Sequence, residues 1–168
     1  MRFGMVCVGA NAPNTVNVIV EIPKGSTNKY EIEHDTGLVR FDRVLFSPLF
    51  YPCDYGFIPE TLYSDGDPLD AFVLLTHPTF PGCIVDAKPI GILGMWDEKD
   101  ATTKLFASQR RTHDLAIWRT WTTYPNTFAE KLCISSKCSN NLKKSVEILR
   151  WDTKGEARRL IEEFRVAR

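Results

Sequence analysis

A chain of 168 residues is long enough for one domain with a real core, and its length gives little support for two. Lys plus Arg and Asp plus Glu both number 21, so the formal net charge is zero, which argues against a generic polyanion binder needing a basic excess or stripe. Apolar residues at 43% and charged residues at 25% are ordinary globular composition, and no apolar run reaches the roughly 18 residues of a membrane helix.

The five cysteines, Cys7, Cys53, Cys83, Cys133 and Cys138, are odd in number and contain no CxxC pair. Neither a disulfide framework nor a zinc site is indicated, and reduced thiols in a cytoplasmic protein are the default. Residues 1–13 mimic a signal peptide only faintly, because the apolar stretch is short and broken by Gly4. They are read as an extension without fixed structure, ahead of a single domain over 14–168.

From Val16 to Ile22 the chain is a β-rich run closed by Pro23-Lys24-Gly25 as a turn. Glu21 is the anomaly in it, and the run leaves open whether that carboxylate faces solvent or serves a site. The next strand, Lys29-Tyr30-Glu31-Ile32-Glu33, places Lys29, Glu31 and Glu33 on one face by alternation. His34-Asp35-Thr36-Gly37 reads as a hairpin turn with Gly37 at the positive-φ position, leading into a strand over 38–43. A polar strand face is most often just the wet side, so these residues alone decide nothing.

An aromatic stretch, Phe50 to Pro59, precedes Ser64-Asp65-Gly66-Asp67-Pro68-Leu69-Asp70 and the apolar run Ala71 to Leu75, which reads as a buried strand. Three carboxylates thus crowd the mouth of that strand. Two unit charges about 4 Å apart repel by about 1 kcal/mol in water but about 4 kcal/mol in a partly shielded site, so exposure decides what the cluster means. Either it is a solvated Asp/Gly/Pro turn, or a sheltered set of oxygens for a hard divalent ion such as Mg²⁺. The spacing is not that of an EF-hand.

Further on, Gly82 to Leu93 predicts a bent strand, and Met95 to Asp100 an acidic turn. Short strands between Gly/Pro turns suggest a small closed barrel. Thr127 with Glu130 marks a candidate helix start, and Val146 to Leu149 a last strand with Trp151 packed under it. Thr153-Lys154-Gly155-Glu156 is a capping box before the stripe Ala157, Leu160, Ile161 and Phe164, predicting an amphipathic helix on the barrel. The fold class is therefore mostly β with helices, an α+β arrangement.

Val20-Glu21-Ile22-Pro23-Lys24-Gly25, Asn28-Lys29-Tyr30-Glu31, Phe41-Asp42-Arg43, Tyr51-Pro52-Cys53-Asp54-Tyr55-Gly56 and Asp65-Gly66-Asp67-Pro68-Leu69-Asp70-Ala71 together resemble the soluble family I inorganic pyrophosphatases, without a gap from Val16 to Asp97. The resemblance implies a five-stranded closed barrel of the oligonucleotide/oligosaccharide-binding (OB-like) type with two α-helices. It further implies Mg²⁺-dependent hydrolysis of pyrophosphate to two phosphates by a metal-activated water, and a homo-oligomer, commonly a hexamer in bacteria. By the same resemblance Asp65, Asp70, Asp97, Glu21 and Glu31 bind metal. Asp67 takes the proton from the water, and Lys29, Arg43, Tyr55 and Lys104 hold phosphoryl oxygens. This agrees with the chemistry, since divalent ions and cationic side chains neutralise the charge that opposes attack on a condensed phosphate.

The match departs from the family pattern at Thr102, where an aspartate is expected, and near Ser135-Ser136-Lys137-Cys138, where a Tyr-Lys pair is expected. These departures open an alternative: an impaired pyrophosphatase-like protein that binds metal and phosphate or only oligomerises. A nucleic-acid module on the same barrel is the third reading, with Tyr51, Tyr55 and Phe57 available to stack bases. The neutral charge and the acidic cluster weigh against it, and no membrane partner is expected.

Overall fold

In the computed structural model, residues 6–33, 35–45, 50–97, 100–109 and 147–166 are described, with the backbone alone for 95–97, 100–102 and 147–151. The elements run β1 (Val16–Ile22), β2 (Asn28–Ile32), β3 (Val39–Val44), β4 (Asp54–Phe57), β5 (Asp70–Leu74), β6 (Ile84–Asp97), β7 (Asp100–Gln109), β8 (Glu147–Asp152) and α1 (Lys154–Glu163).

β1 is a nearly unbroken apolar run because both of its faces are covered. Val16, Val18 and Val20 enter the main core, while Ile19 packs with Ile32 and Phe57, and Ile22 with Leu45 and Tyr51. Hydrogen bonding in the order β1-β4-β5-β7-β6, with β6 returning to β1, closes a five-stranded barrel of OB-like form; β8 is added outside β6. β5 and β7 run parallel, and the other pairs are antiparallel. The 14-residue β6 serves three partners by bending, with register shifts between Pro89 and Gly91 and between Gly94 and Met95. β2 and β3 form a separate hairpin beside the barrel.

Several boundaries differ from the sequence reading. β4 lies in the aromatic stretch, where Pro52 and the polar Asp54 hide the strand pattern. The acidic turn is narrower than expected: β6 runs through Asp97 and β7 begins at Asp100, with those two residues paired. Gly37 does take the positive φ of its turn, at 69°. The helix start at Thr127 and Glu130, the turn residue His34, and the window around Ser135 to Cys138 lie outside the described residues, as does the side chain of Trp151.

Residues 6–13 run against the barrel rather than extending from it. Val8 is fully buried in the main core, its carbonyl accepts the Asn17 N–H (2.7 Å), and its own N–H donates to Glu60 Oε2 (3.0 Å). Glu60, at φ 55°, also accepts the N–H of Val166 on its carbonyl (2.9 Å). The closing helix α1 starts as the sequence predicts: the Thr153 hydroxyl accepts from the Glu156 N–H, and Ala157 and Ile161 are fully buried in the main core. Truncating a side chain as buried as Ile161 to Ala costs about 2–5 kcal/mol, so the helix is an integral wall of the domain. Among the described residues no helix is long and apolar enough to cross a membrane.

Candidate active site

The site begins with a β-bulge. Along β1, Val20 pairs with Gly56 and Ile22 with Tyr55, so Glu21 is the extra residue and leaves the alternation of the strand. Gly56 permits this close approach, because a Cβ there would stand 1.9 Å from the carbonyl oxygen of Ile19. The bulge turns Glu21 towards the hairpin, where its Oε1 accepts the Ile32 N–H (3.0 Å). Burial, with added repulsion from Asp70 and Glu31, pushes its carboxyl up to about 7 against the hydrogen bond from Ile32. Glu21 is therefore not a wet-side residue but a shielded acid.

A second bulge organises the hairpin. Lys29 pairs with Arg43 and Tyr30 with Phe41, which leaves Asp42 as the unmatched residue. Its carboxylate stands between two cations, 3.0 Å from Lys29 Nζ and 2.7 Å from Arg43 Nη1. Lys29 also meets Glu31 Oε1 at 2.5 Å. Burial alone would lower the Lys29 ammonium, but the hydrogen bonds and charges of Glu31 and Asp42 outweigh it and raise the group above its ordinary value. Asp42 was quoted in the sequence motif without a role. The signal that identifies it is the hairpin register, which no periodicity reports.

On the opposite wall, β4, β5 and β7 present Tyr55, Asp70 and Lys104. The Tyr55 hydroxyl donates to Asp70 Oδ1 (2.6 Å), and Lys104 Nζ pairs with Asp70 Oδ2 while lying 5.8 Å from the centre of the Tyr55 ring. Burial and then the Asp70 charge hold the Tyr55 phenol well above its usual range, so it stays a donor. Preceding Asp70, the aspartate loop is tied at its base by Thr61, whose buried hydroxyl donates to the Ile58 carbonyl and accepts the Leu69 N–H. Within the loop Asp65 folds back, its Oδ1 accepting the Asp67 N–H (3.1 Å).

A cleft of about 500 Å³ gathers these groups, lined by Glu21, Lys29, Glu31, Tyr55, Asp67 and Asp70 among others. Lys104 is joined to it through Asp70, and Arg43 through Asp42 and Lys29. Asp65 is exposed and does not line the cleft, and the side chains of Asp97 and Thr102 lie outside the described residues. Among the described residues no three metal-ligating side chains converge into a finished cation cage. The donor chemistry nevertheless fits a hard divalent cation: the anionic groups are all oxygens, and burial with the nearby Asp70 and Glu31 charges raises the proton affinity of Glu21. An ion that commonly takes one or two carboxylates plus substrate phosphates needs no complete protein cage.

One acid that belongs to the framework was also missed. Asp54 is fully buried; Oδ1 accepts the Lys24 N–H (2.7 Å), and Oδ2 accepts both the N–H (3.0 Å) and the hydroxyl (2.6 Å) of Thr79. It pins the loop after β1 and the loop before β6 to the start of β4.

A profile described as inorganic pyrophosphatase matches residues 18–167. The chain belongs to the inorganic pyrophosphatase family. With that family it is a hydrolase acting on phosphoric anhydrides. It is 42% identical over 147 residues to an inorganic pyrophosphatase of Methanosarcina mazei, covering 87% of each chain. To an inorganic pyrophosphatase of Synechocystis it is 40% identical over 149 residues, covering 88% of each. The crystal structure of the inorganic pyrophosphatase from Thermus thermophilus superposes with a TM-score of 0.86 at 34% identity, covering 96% of this chain and 95% of that one.

Proposed function

We propose that this chain hydrolyses inorganic pyrophosphate to two phosphates with Mg²⁺ in the cleft between the hairpin and the barrel. The observation that carries this reading is the convergence of Glu21, Lys29, Glu31, Tyr55, Asp67 and Asp70 on one cleft, in a chain of the pyrophosphatase family. Glu21 and Asp70 would hold the ion, with Glu31 at its edge and Asp65 and Asp97 as the further ligands the resemblance implies; when bound it would supply positive charge to the phosphoryl oxygens and acidity to water.

The protein's own groups do the rest. Lys29 and Arg43, held by Asp42 on the hairpin, and Lys104 on β7 neutralise the substrate from two sides, Arg43 with a planar fork. Tyr55, a phenol kept protonated by burial, donates to a phosphoryl oxygen. Asp67, on the exposed arc of the aspartate loop, accepts a proton from the attacking water. Lys104 and Tyr55 both engage Asp70. With a divalent ion held at Asp70, Tyr55 and Lys104 would be free to face the substrate.

The chain acts as a single domain, supported by the family match over 18–167, with residues 6–13 packed onto it rather than standing ahead of a domain over 14–168. The free thiols Cys7, Cys53 and Cys83 suit a reducing cytoplasm. Leu38, Val39, Phe41 and Val44 lie exposed along the hairpin and support association into a homo-oligomer, the hexamer implied by the resemblance. No nucleic acid or membrane partner is invoked. The test is phosphate release from pyrophosphate with Mg²⁺ and with a chelator, on the parent chain and Asp67→Asn. Metal-dependent release that Asp67→Asn abolishes is the expected result. No release by the parent overturns the function, and full turnover by Asp67→Asn overturns the role of that residue.

A further inference from the structure

Within the aspartate loop, Ser64 to Asp67 are exposed, and the hydrogen bonds around them are local. Tyr63 is the residue of this arc that reaches other elements. Its N–H donates to the Asp67 carbonyl (2.7 Å) and its carbonyl accepts the Gly66 N–H (3.0 Å), so the backbone around Asp67 is fastened directly to Tyr63. Outward from the loop, its ring packs edge-on against Phe164 at the end of α1, centroids 4.7 Å apart. Its hydroxyl shares a 3.0 Å hydrogen bond with Thr103 Oγ1 on β7. Thr103 immediately precedes Lys104, whose ammonium pairs with Asp70.

We infer that Tyr63 is a positioning residue for the reaction: through Thr103 and Phe164 it holds the arc carrying Asp65 and Asp67 at a fixed distance from Lys104 and Asp70. This rests on the pyrophosphatase reading of the cleft. Thr61 fixes the base of the loop, so without the Tyr63 brace the loop still forms but its acidic tip loses its lateral tie. A displacement of about 1 Å at such a tip is enough to cost up to 100-fold in rate, whereas one partly exposed hydrogen bond contributes little to global stability.

The experiment is a double-mutant cycle of Tyr63→Phe and Thr103→Val, each of which deletes one hydroxyl while keeping the side-chain volume. kcat, KM and thermal midpoint are read together with Mg²⁺ affinity by calorimetry in the absence of pyrophosphate. Each single change is expected to lower kcat about tenfold and to weaken Mg²⁺ binding at least threefold, with the thermal midpoint within about 4 °C of the parent. The double variant is expected to be no worse than either single, because both remove the same bond. Multiplicative losses in the double variant, or kcat and Mg²⁺ affinity within twofold of the parent in the singles, would overturn the assignment. Should the parent itself fail to hydrolyse pyrophosphate, the functional reading falls, and the brace is then decided by Mg²⁺ affinity: a threefold loss sustains it and an unchanged affinity ends it.

Discussion

Alanine at position 56 places the smallest possible side chain where β1 and β4 come closest. Its Cβ would lie 1.9 Å from Ile19 O, 2.8 Å from Ile19 C and 2.8 Å from Val20 Cα. Carbon and oxygen normally approach no closer than roughly 3.3 Å, so the strands must part by more than about 1 Å. Overpacking against side chains that can yield costs about 1–3 kcal/mol. Here every opposing atom is backbone, and parting the strands also weakens the ladder at Ile19–Phe57 and Val20–Gly56, at about 1 kcal/mol per bond. The expected loss is about 3–5 kcal/mol, which for a chain of this size lowers the thermal midpoint by about 6–20 °C at 2–4 °C per kcal/mol. Gly25→Ala is the control. Nothing stands within 4 Å of its Cβ, and only its φ of +84° opposes the change, at about 1 kcal/mol. Differential scanning calorimetry on both variants measures the contrast, and a Gly56→Ala midpoint within 3 °C of the parent would refute the steric reasoning. Because the Glu21 bulge spans the same contact, pyrophosphate hydrolysis in Gly56→Ala is expected to fall even at temperatures where the variant is folded.

Asp54→Ala strands two backbone N–H groups and a hydroxyl that now share one buried carboxylate, and is expected to cost about 3–5 kcal/mol in urea unfolding with an unchanged slope. For Glu21 the sign follows from the raised carboxyl: the fold favours the protonated form, so this group's contribution is fullest below pH 4.5 and is lost as pH rises through about 7. Chelator-treated protein is therefore expected to melt at a lower temperature at pH 8 than at pH 5, and Glu21→Gln to flatten that slope; an unchanged slope in the variant would contradict the burial argument. Burial pushes the Cys53 thiol well up, whereas Cys7 is exposed. Iodoacetamide mapped by mass spectrometry should label Cys7 in the native protein and reach Cys53 only after denaturant is added.

Much of the barrel was legible because burial leaves a direct trace in sequence. The unbroken β-branched run of β1, the apolar β5 and the capped stripe of α1 each follow from which faces are covered. β4 was not legible: its four residues carry an invisible close approach at Gly56 and a buried acid at Asp54, both defined by what the neighbouring strands do. The same holds for the site. Glu21 and Asp42 gain their directions from register shifts between paired strands, and a one-residue slip in pairing is a tertiary fact that no single strand encodes. The aspartate loop, by contrast, was visible as chemistry, because three carboxylates beside Gly66 and Pro68 form a local pattern. What that pattern did not contain was its lateral support through Tyr63, whose partners are 40 and more positions away in the chain.

Glu60 receives Val8 on its side chain and Val166 on its carbonyl, so the incoming and outgoing segments of the domain are stitched to a single residue. Val8 and Val166 are thus neighbours in space. A short peptide joining those two positions would convert the fold between them into a ring that can be reopened elsewhere on its surface.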